Sequence, residues 1–197
     1  MIKTLALLTT LGLGGATAPV VEVDFMLPAR NVVIYPEATE LVQVSAPRLS
    51  DTAQAAWDNE FITNSFFSAF AYSKDGGYGY ATTSNTPETA RNIAMAQCLS
   101  MNAQCRIIAE IHPADYKEPG PGDITVSLEI AQYYREVQAR PTYRAMAISA
   151  DGAYSSAWGY ASQAEADALV LRDCEGYRNT DLEGLEDWPC ILLPGLQ

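Results

Sequence analysis

The sequence of 197 residues contains one histidine, four cysteines and few basic residues, and each shortage excludes a class of protein. No two cysteines have the Cys-x2-Cys spacing of a zinc site, and His112 alone cannot supply the missing ligands, so we expect no metal centre. The chain has no Gly-x-Ser-x-Gly motif, and His112 precedes Pro113, which we interpret as the start of a linker. We therefore predict no catalytic residues and no cofactor.

The shortage of basic residues limits the partners. Lys and Arg number 12 against 24 Asp and Glu, which gives a formal net charge of -12 at pH 7. This charge repels phosphate backbones and anionic membranes, so we expect no nucleic acid partner. We interpret the acidic balance as a source of solubility, with an acidic surface for a cationic partner as the alternative.

The first eighteen residues have the layout of a secretory signal peptide. Lys3 precedes an apolar stretch at 5–13, and small residues follow up to Ala18, although a cut after Ala16 also fits. No later segment is apolar for long enough to cross a bilayer, so we expect no membrane span. The sequence predicts a signal peptide at 1–18, a periplasmic or extracellular protein, and an extended lead-in at 19–49.

The chain matches itself at an offset of 76 residues. Residues 69–98 align without gaps on 145–174, with nine of thirty positions identical, including an Asp-Gly pair and a cysteine. In each copy an apolar alternating strand leads into Asp-Gly, which favours a hairpin because both residues tolerate positive φ. A returning strand, a helix with a polar start and a strand opened by cysteine follow. The predicted strands are 66–73, 78–82 and 105–108 in the first copy and 144–149, 154–160 and 190–193 in the second.

Helical stretches at 50–62 and 127–138 precede the two hairpins. The expected fold is therefore α+β, with two tandem α-β-β-α-β units that contain antiparallel hairpins and disulfides. The first unit spans 50–111 and the second 123–197, and a Pro/Gly-rich linker at 112–122 joins them. A further short strand is expected at 31–35 in the lead-in.

All four cysteines lie in the exported part of the chain, where disulfides are the default. Sequence alone permits three pairings. The repeat selects Cys98 with Cys105 and Cys174 with Cys190, because each pair then ties a helix end to the strand that follows it.

The two units resemble a family of short exported bacterial domains of unknown function, the DUF4189 type. In the second unit the resemblance lies in the strand at 145–149, the Asp-Gly turn, the stretch Ala-Trp-Gly-Tyr-Ala-Ser at 157–162, the helix start at 165–166 and the cysteine pair. The first unit has Thr82 and Thr83 in place of the tryptophan and glycine. The resemblance implies this fold and an export route, and it implies no activity, substrate or catalytic residue.

Five aromatic residues lie on or beside the hairpin strands: Tyr78, Tyr80, Tyr154, Trp158 and Tyr160. With one face exposed, they would form a binding surface for a sugar or a peptide, whereas more often such residues pack in a core.

Several carboxylates are candidates for other chemistry. Glu88, Glu110, Glu165 and Asp167 are available for glycoside hydrolysis, but Glu88 and Glu165 belong to helix starts, where acidic residues interact favourably with the helix dipole. The acidic loop at 175–187 lacks the spacing of an EF-hand, and the sequence leaves open whether it binds calcium.

These observations favour an exported, non-catalytic protein that binds a protein or cell-envelope component. A small carboxylate-dependent hydrolase acting on envelope glycan is an alternative, which predicts two acidic side chains facing each other in a cleft between the units. A second alternative is an inhibitor or immunity protein of a secreted enzyme, which predicts that the loop at 176–188 inserts into a partner.

Overall fold

The computed structural model of the protein describes residues 31–178 and 188–196. The predicted signal peptide and residues 179–187 of the acidic loop lie outside this part of the chain. The described elements are, in chain order, β1 (Val32–Val33), β2 (Thr39–Gln43), α1 (Asp51–Ala56), β3 (Ser68–Ser73), β4 (Tyr78–Ala81), α2 (Pro87–Leu99), β5 (Cys105–Pro113), β6 (Ile124–Thr125), α3 (Leu128–Gln138), β7 (Ala145–Ile148), β8 (Tyr154–Ala157), α4 (Gln163–Tyr177) and β9 (Ile191–Leu192). Helix α1 continues as a π-helical turn over Trp57–Phe61.

The described strands form three sheets. An antiparallel sheet has the order β2-β5-β3-β4, a second antiparallel sheet has the order β8-β7-β9, and β1 pairs with β6 in parallel. We call the first sheet with α1 and α2 the first half, and the second sheet with α3 and α4 the second half. The predicted α+β class with antiparallel hairpins is confirmed. None of the described helices is both long and apolar enough to cross a bilayer.

In the first half, the sheet lies between two helices, so both faces of β3 are buried. Successive side chains of a strand point to opposite faces. Ala69 and Ala71 therefore pack towards α2, while Phe70 and Tyr72 pack with α1 and its π-helical turn. Small residues on one face allow α2 to approach the sheet closely, and aromatic residues fill the wider space on the other.

The second half repeats this arrangement of layers. Ala145 and Ala147 of β7 pack with α4, whereas Met146 and Ile148 pack with α3. The strand pairs of the β7–β8 hairpin correspond one by one to those of the β3–β4 hairpin at an offset of 76 residues.

Helix α2 approaches the backbone of β4 at Gly79. A Cβ atom on this residue would lie 2.3 Å from the carbonyl oxygen of Ala94 and 2.6 Å from the amide nitrogen of Cys98. Contacts this short are not available to any other residue type, so the distance between α2 and the first sheet depends on glycine at this position.

The two disulfides have the predicted pairing. Cys98 of α2 is bonded to Cys105 at the start of β5, and Cys174 of α4 is bonded to Cys190 just before β9, each with a Cα–Cα distance of 6.1 Å. Each bond closes a short loop and ties a helix end to the next strand. Such closure restricts the unfolded chain, which stabilises the fold by about 2–4 kcal/mol per bond.

The hairpin turns differ in detail from the prediction. Only the glycine of each Asp-Gly pair has a positive φ, +92° at Gly76 and +96° at Gly152. The amide of Gly76 donates to the carbonyl of Ser73, and the amide of Ser73 donates to the carbonyl of Gly77. The loop therefore has three residues with glycine in the left-handed position, as is common in hairpins of this length.

Other boundaries also differ. His112 and Pro113 belong to β5, so the interpretation of His112 as a linker residue is wrong. The strand expected at 31–35 is limited to β1, and the strand expected at 154–160 ends at Ala157. Strand β2 was not expected, because all five of its residues are exposed and its sequence has no alternating pattern.

Asn85, in the loop between β4 and α2, joins the two halves and is 1% exposed. Its side-chain amide donates to the carbonyl of Ser149 at 2.8 Å and accepts from the amide of Ser127 at 2.8 Å. Its backbone carbonyl accepts from the hydroxyl of Thr125, and its backbone amide donates to the carbonyl of Ala150. Every polar group of Asn85 is therefore bonded to the chain segments around α3 and β7.

We expect Asn85→Ala to lower the free energy of unfolding by about 2–4 kcal/mol, because it leaves the buried amide of Ser127 and the carbonyl of Ser149 without partners. The matched control is Asn59→Ala, which removes an exposed bond to the carbonyl of Ala55 and should change stability by less than about 0.5 kcal/mol. Urea unfolding measures both. Equal effects of the two substitutions would contradict the assignment of Asn85 as the junction.

Candidate functional site: the cleft between the halves

A cleft of about 1120 Å³ lies where the two halves meet. Its lining comes from the start of α2, the end of β5 with the loop that follows, β6, the end of β7 and residues 188–191. Asn85 lies in this lining, so the junction that joins the halves also sets the shape of the cleft.

Three charged or titratable side chains meet at the edge of the cleft. Glu110 and His112 are two residues apart on β5 and therefore point to the same face of the sheet, which α2 covers. Arg91 of α2 places Nη1 3.1 Å from Oε2 of Glu110, and Nε2 of His112 lies 2.7 Å from the same oxygen. Glu110 is 8% exposed, whereas the side chain of Arg91 is 43% exposed.

The environment of Glu110 keeps its carboxyl group ionised. Burial alone raises the pKa of Glu110. The hydrogen bonds from His112 and Arg91 and the charge interactions with both residues outweigh burial, so the pKa is lowered below its usual range. An ionised carboxylate can only accept hydrogen bonds, so His112 donates from Nε2. Glu110 is consequently a fixed negative charge that orients Arg91 and His112.

Aromatic rings pack behind this group. The ring of Tyr116 lies 5.3 Å from that of His112, 5.4 Å from that of Phe67 and 5.6 Å from that of Tyr35, measured between centroids. The hydroxyl of Tyr35 donates to the carbonyl of Lys117 at 2.8 Å. Burial raises the pKa of both tyrosines, so their hydroxyls stay neutral at physiological pH. The cluster holds the loop after β5 against the first half.

The remaining charged residues of the cleft are acidic. Of the described residues, Glu88, Glu118 and Asp123 line it, against the single guanidinium of Arg91. Asp123 accepts a hydrogen bond from the side chain of Asn31 at 2.9 Å. Glu88 and Glu118 are exposed and form no ion pair within the described residues. The cleft therefore has an excess of negative charge.

The predicted aromatic surface is distributed over both halves. Tyr78 and Tyr80 lie on β4 on either side of Phe70, with nearly parallel rings at 5.8 and 6.2 Å, and they are half-buried. In the second half Tyr154 stacks on Tyr133 at 5.1 Å. None of these rings lines the cleft.

Trp158 and Tyr160 follow β8 and are 43% and 41% exposed. The guanidinium of Arg140 lies 4.6 Å from the centroid of the Trp158 ring, within the range of a cation–π interaction. The proposal of a binding surface at these five aromatic residues stays a prediction.

The carboxylates singled out from the sequence separate into two groups. Glu88 lines the cleft and Glu110 is bonded to Arg91 and His112 of the lining, whereas Glu165 and Asp167 lie in the first turns of α4 and do not line it. Asp167 accepts from the side chain of Gln163 at 2.7 Å.

The start of the acidic loop is also described. Glu175 accepts from the amide of Cys190 at 2.6 Å and from Arg178 at 2.9 Å, which lowers its pKa although burial alone would raise it. Among the described residues no group of His, Cys, Asp and Glu is arranged to hold a metal ion. Whether the acidic loop at 175–187 binds calcium stays open, because its residues 179–187 lie outside the described part of the chain.

Compared with known proteins, the chain matches no family model, no curated protein and no solved structure. The resemblance to the DUF4189 type therefore stays a prediction.

The sequence analysis named Glu110 and His112 separately and did not name Arg91. The available signal was the spacing of two residues between Glu110 and His112, which places both on one face of a strand. It was missed because the predicted strand ended at residue 108.

We expect Glu110→Gln to lower the free energy of unfolding by about 1–3 kcal/mol at pH 7, since it removes the charge that pairs with Arg91 and His112. The folded-state pKa of Glu110 is lowered, so its stabilising effect is present above the unfolded value of about 4.3 and is lost as pH falls through the folded value. Urea unfolding at pH 7 and at about pH 3.5 should show a smaller difference from the unsubstituted protein at the lower pH. Exposed Glu136→Gln is the control, and an undiminished effect of Glu110→Gln at low pH would contradict the assignment.

Proposed function

We propose that this protein is an exported, non-catalytic binding protein, built from two DUF4189-like tandem units, whose ligand occupies the cleft between its halves. The ligand is a protein or a cell-envelope component. The observation that carries this proposal is the cleft itself, a concave site of about 1120 Å³ between the two halves, and binding sites occur preferentially where two structural units meet.

The organisation of the halves supports the tandem units. The two hairpins have corresponding strand registers, and each half has a disulfide from the helix after its hairpin to the strand that follows. The sulfur of Cys98 lies near the carbonyl of Gly77, as that of Cys174 lies near the carbonyl of Ala153, again at the same offset.

Binding is favoured over glycoside hydrolysis by the state of Glu110. Hydrolysis requires one protonated carboxyl group as general acid beside a second carboxylate. Glu110 is buried against Arg91 and His112 of the lining, and its bonds to both, together with its lowered pKa, favour the ionised form. An ionised Glu110 is not available as the general acid, and its bonds position Arg91 and His112 at the cleft.

Export is supported by the signal-like residues 1–18 together with the two disulfides, which persist in oxidising compartments. Intact-mass analysis of protein purified from the periplasm or medium tests this. We expect a chain that begins after Ala18 or Ala16, with four thiols that become reactive only after reduction. An intact N-terminus with freely reactive thiols would contradict export.

A larger side chain in the cleft lining tests whether the cleft binds a ligand. Ile191 lies in its lining and is 43% exposed, so Ile191→Trp adds bulk without creating strain in the core. Leu41→Trp is the matched control, because Leu41 is 49% exposed on β2 and lies outside the cleft. Thermal unfolding is followed with basic, acidic and neutral peptides and with soluble glycan fragments.

We expect at least one of these probes to raise the melting temperature of the unsubstituted protein and of Leu41→Trp, since a ligand that binds only the native state stabilises it. The same probe should give no rise with Ile191→Trp. A rise that is equal in all three proteins, or no rise with any probe, would overturn the proposal that the cleft binds a ligand.

A further inference from the structure

Resting on the proposed function of the cleft, we infer that its ligand is a positively charged peptide segment of a partner protein, bound through lysine or arginine side chains. Charge is the first argument. Among the described residues three carboxylates line the cleft against one arginine, and Glu110, which is buried outside the lining, already compensates the charge of Arg91 at 3.1 Å. The charges left over are those of Glu88, Glu118 and Asp123, so a cationic group is attracted and an anionic one is repelled.

The walls of the cleft supply the second argument. Tyr116, Trp188 and Ile191 also line it, so aromatic and aliphatic side chains share the cleft with the acidic groups. A lysine or arginine side chain has an apolar stem and a charged head, and its head is also attracted to the face of an aromatic ring. This combination of surfaces fits basic side chains better than it fits a hydrated metal ion or a sugar.

Size selects a peptide over a small amine. The cleft volume of about 1120 Å³ lies above the range of about 300–1000 Å³ typical of sites for small molecules. Its acidic groups come from α2 and from the loop after β5, and a peptide with spaced basic side chains reaches both. The net charge of -12 over the whole chain also accelerates the approach of a basic partner.

The test measures binding to the full oxidised protein. The probes are two fluorescently labelled peptides, one alternating leucine with lysine and the other alternating leucine with glutamate, and spermine, which represents a small cation. We expect the lysine peptide to bind with a higher affinity than the glutamate peptide and spermine, and the affinity to fall as salt is raised. The double variant Glu88→Gln/Glu118→Gln should raise the Kd for the lysine peptide about tenfold or more. The control Glu60→Gln/Glu136→Gln removes the same charge outside the cleft and should leave the Kd unchanged.

The outcomes separate this inference from the proposed function. Equal weakening by the two double variants would show attraction to the overall charge and overturn the inference, as would equal binding of spermine. If the glutamate peptide or a glycan fragment binds better and is blocked by Ile191→Trp, the cleft remains the binding site but the basic ligand is wrong. If no probe responds to Ile191→Trp, the proposed function fails as well.

Discussion

The structure depends on one buried amide, that of Asn85. A polar group without a partner in the interior costs about 1–3 kcal/mol, so a buried side chain with both donor and acceptor groups strongly favours the geometry that satisfies them all. Asn85 finds its partners in Ser127 and Ser149, which belong to two separate segments of the second half. Hydrophobic contacts between the halves are non-directional, whereas these bonds fix orientation. The bonds of Asn85 therefore favour the arrangement of the halves that leaves the cleft between them.

The same reasoning explains the charged group at the edge of the cleft. Glu110 is almost fully buried, and a buried carboxylate is tolerated only with charged or hydrogen-bonding partners. Arg91 supplies charge from α2 and His112 supplies a hydrogen bond from the same strand. Once these bonds form, Glu110 has little capacity left for a ligand. The electrostatic character of the open cleft is therefore set by the exposed carboxylates around it.

Local patterns made much of the fold predictable. The Asp-Gly turns, the alternating strands, the capping residues Thr86 and Ser162 and the equivalent cysteines act over a few residues or repeat at one offset, and the predicted elements and disulfides followed from them. The cleft was not predictable in this way. Asn85 is 42 residues from Ser127 and 64 from Ser149 in the chain, and no periodic signal links them. Strand β2 escaped prediction because exposure of both faces removes the alternation on which strand prediction depends.

The disulfides contribute to the cleft in two different ways. Helix α2 and strand β5 run in opposite directions, so the bond between Cys98 and Cys105 closes one end of the pair while Arg91 and Glu110 close the other. The covalent bond thereby limits movement of the helix that supplies Arg91. In the second half Cys190 lies between Pro189 and Ile191, which line the cleft, so its disulfide ties this wall to α4. Trp188 of this wall also packs against the core of the first half, so this packing and the bonds of Asn85 both hold the two walls together.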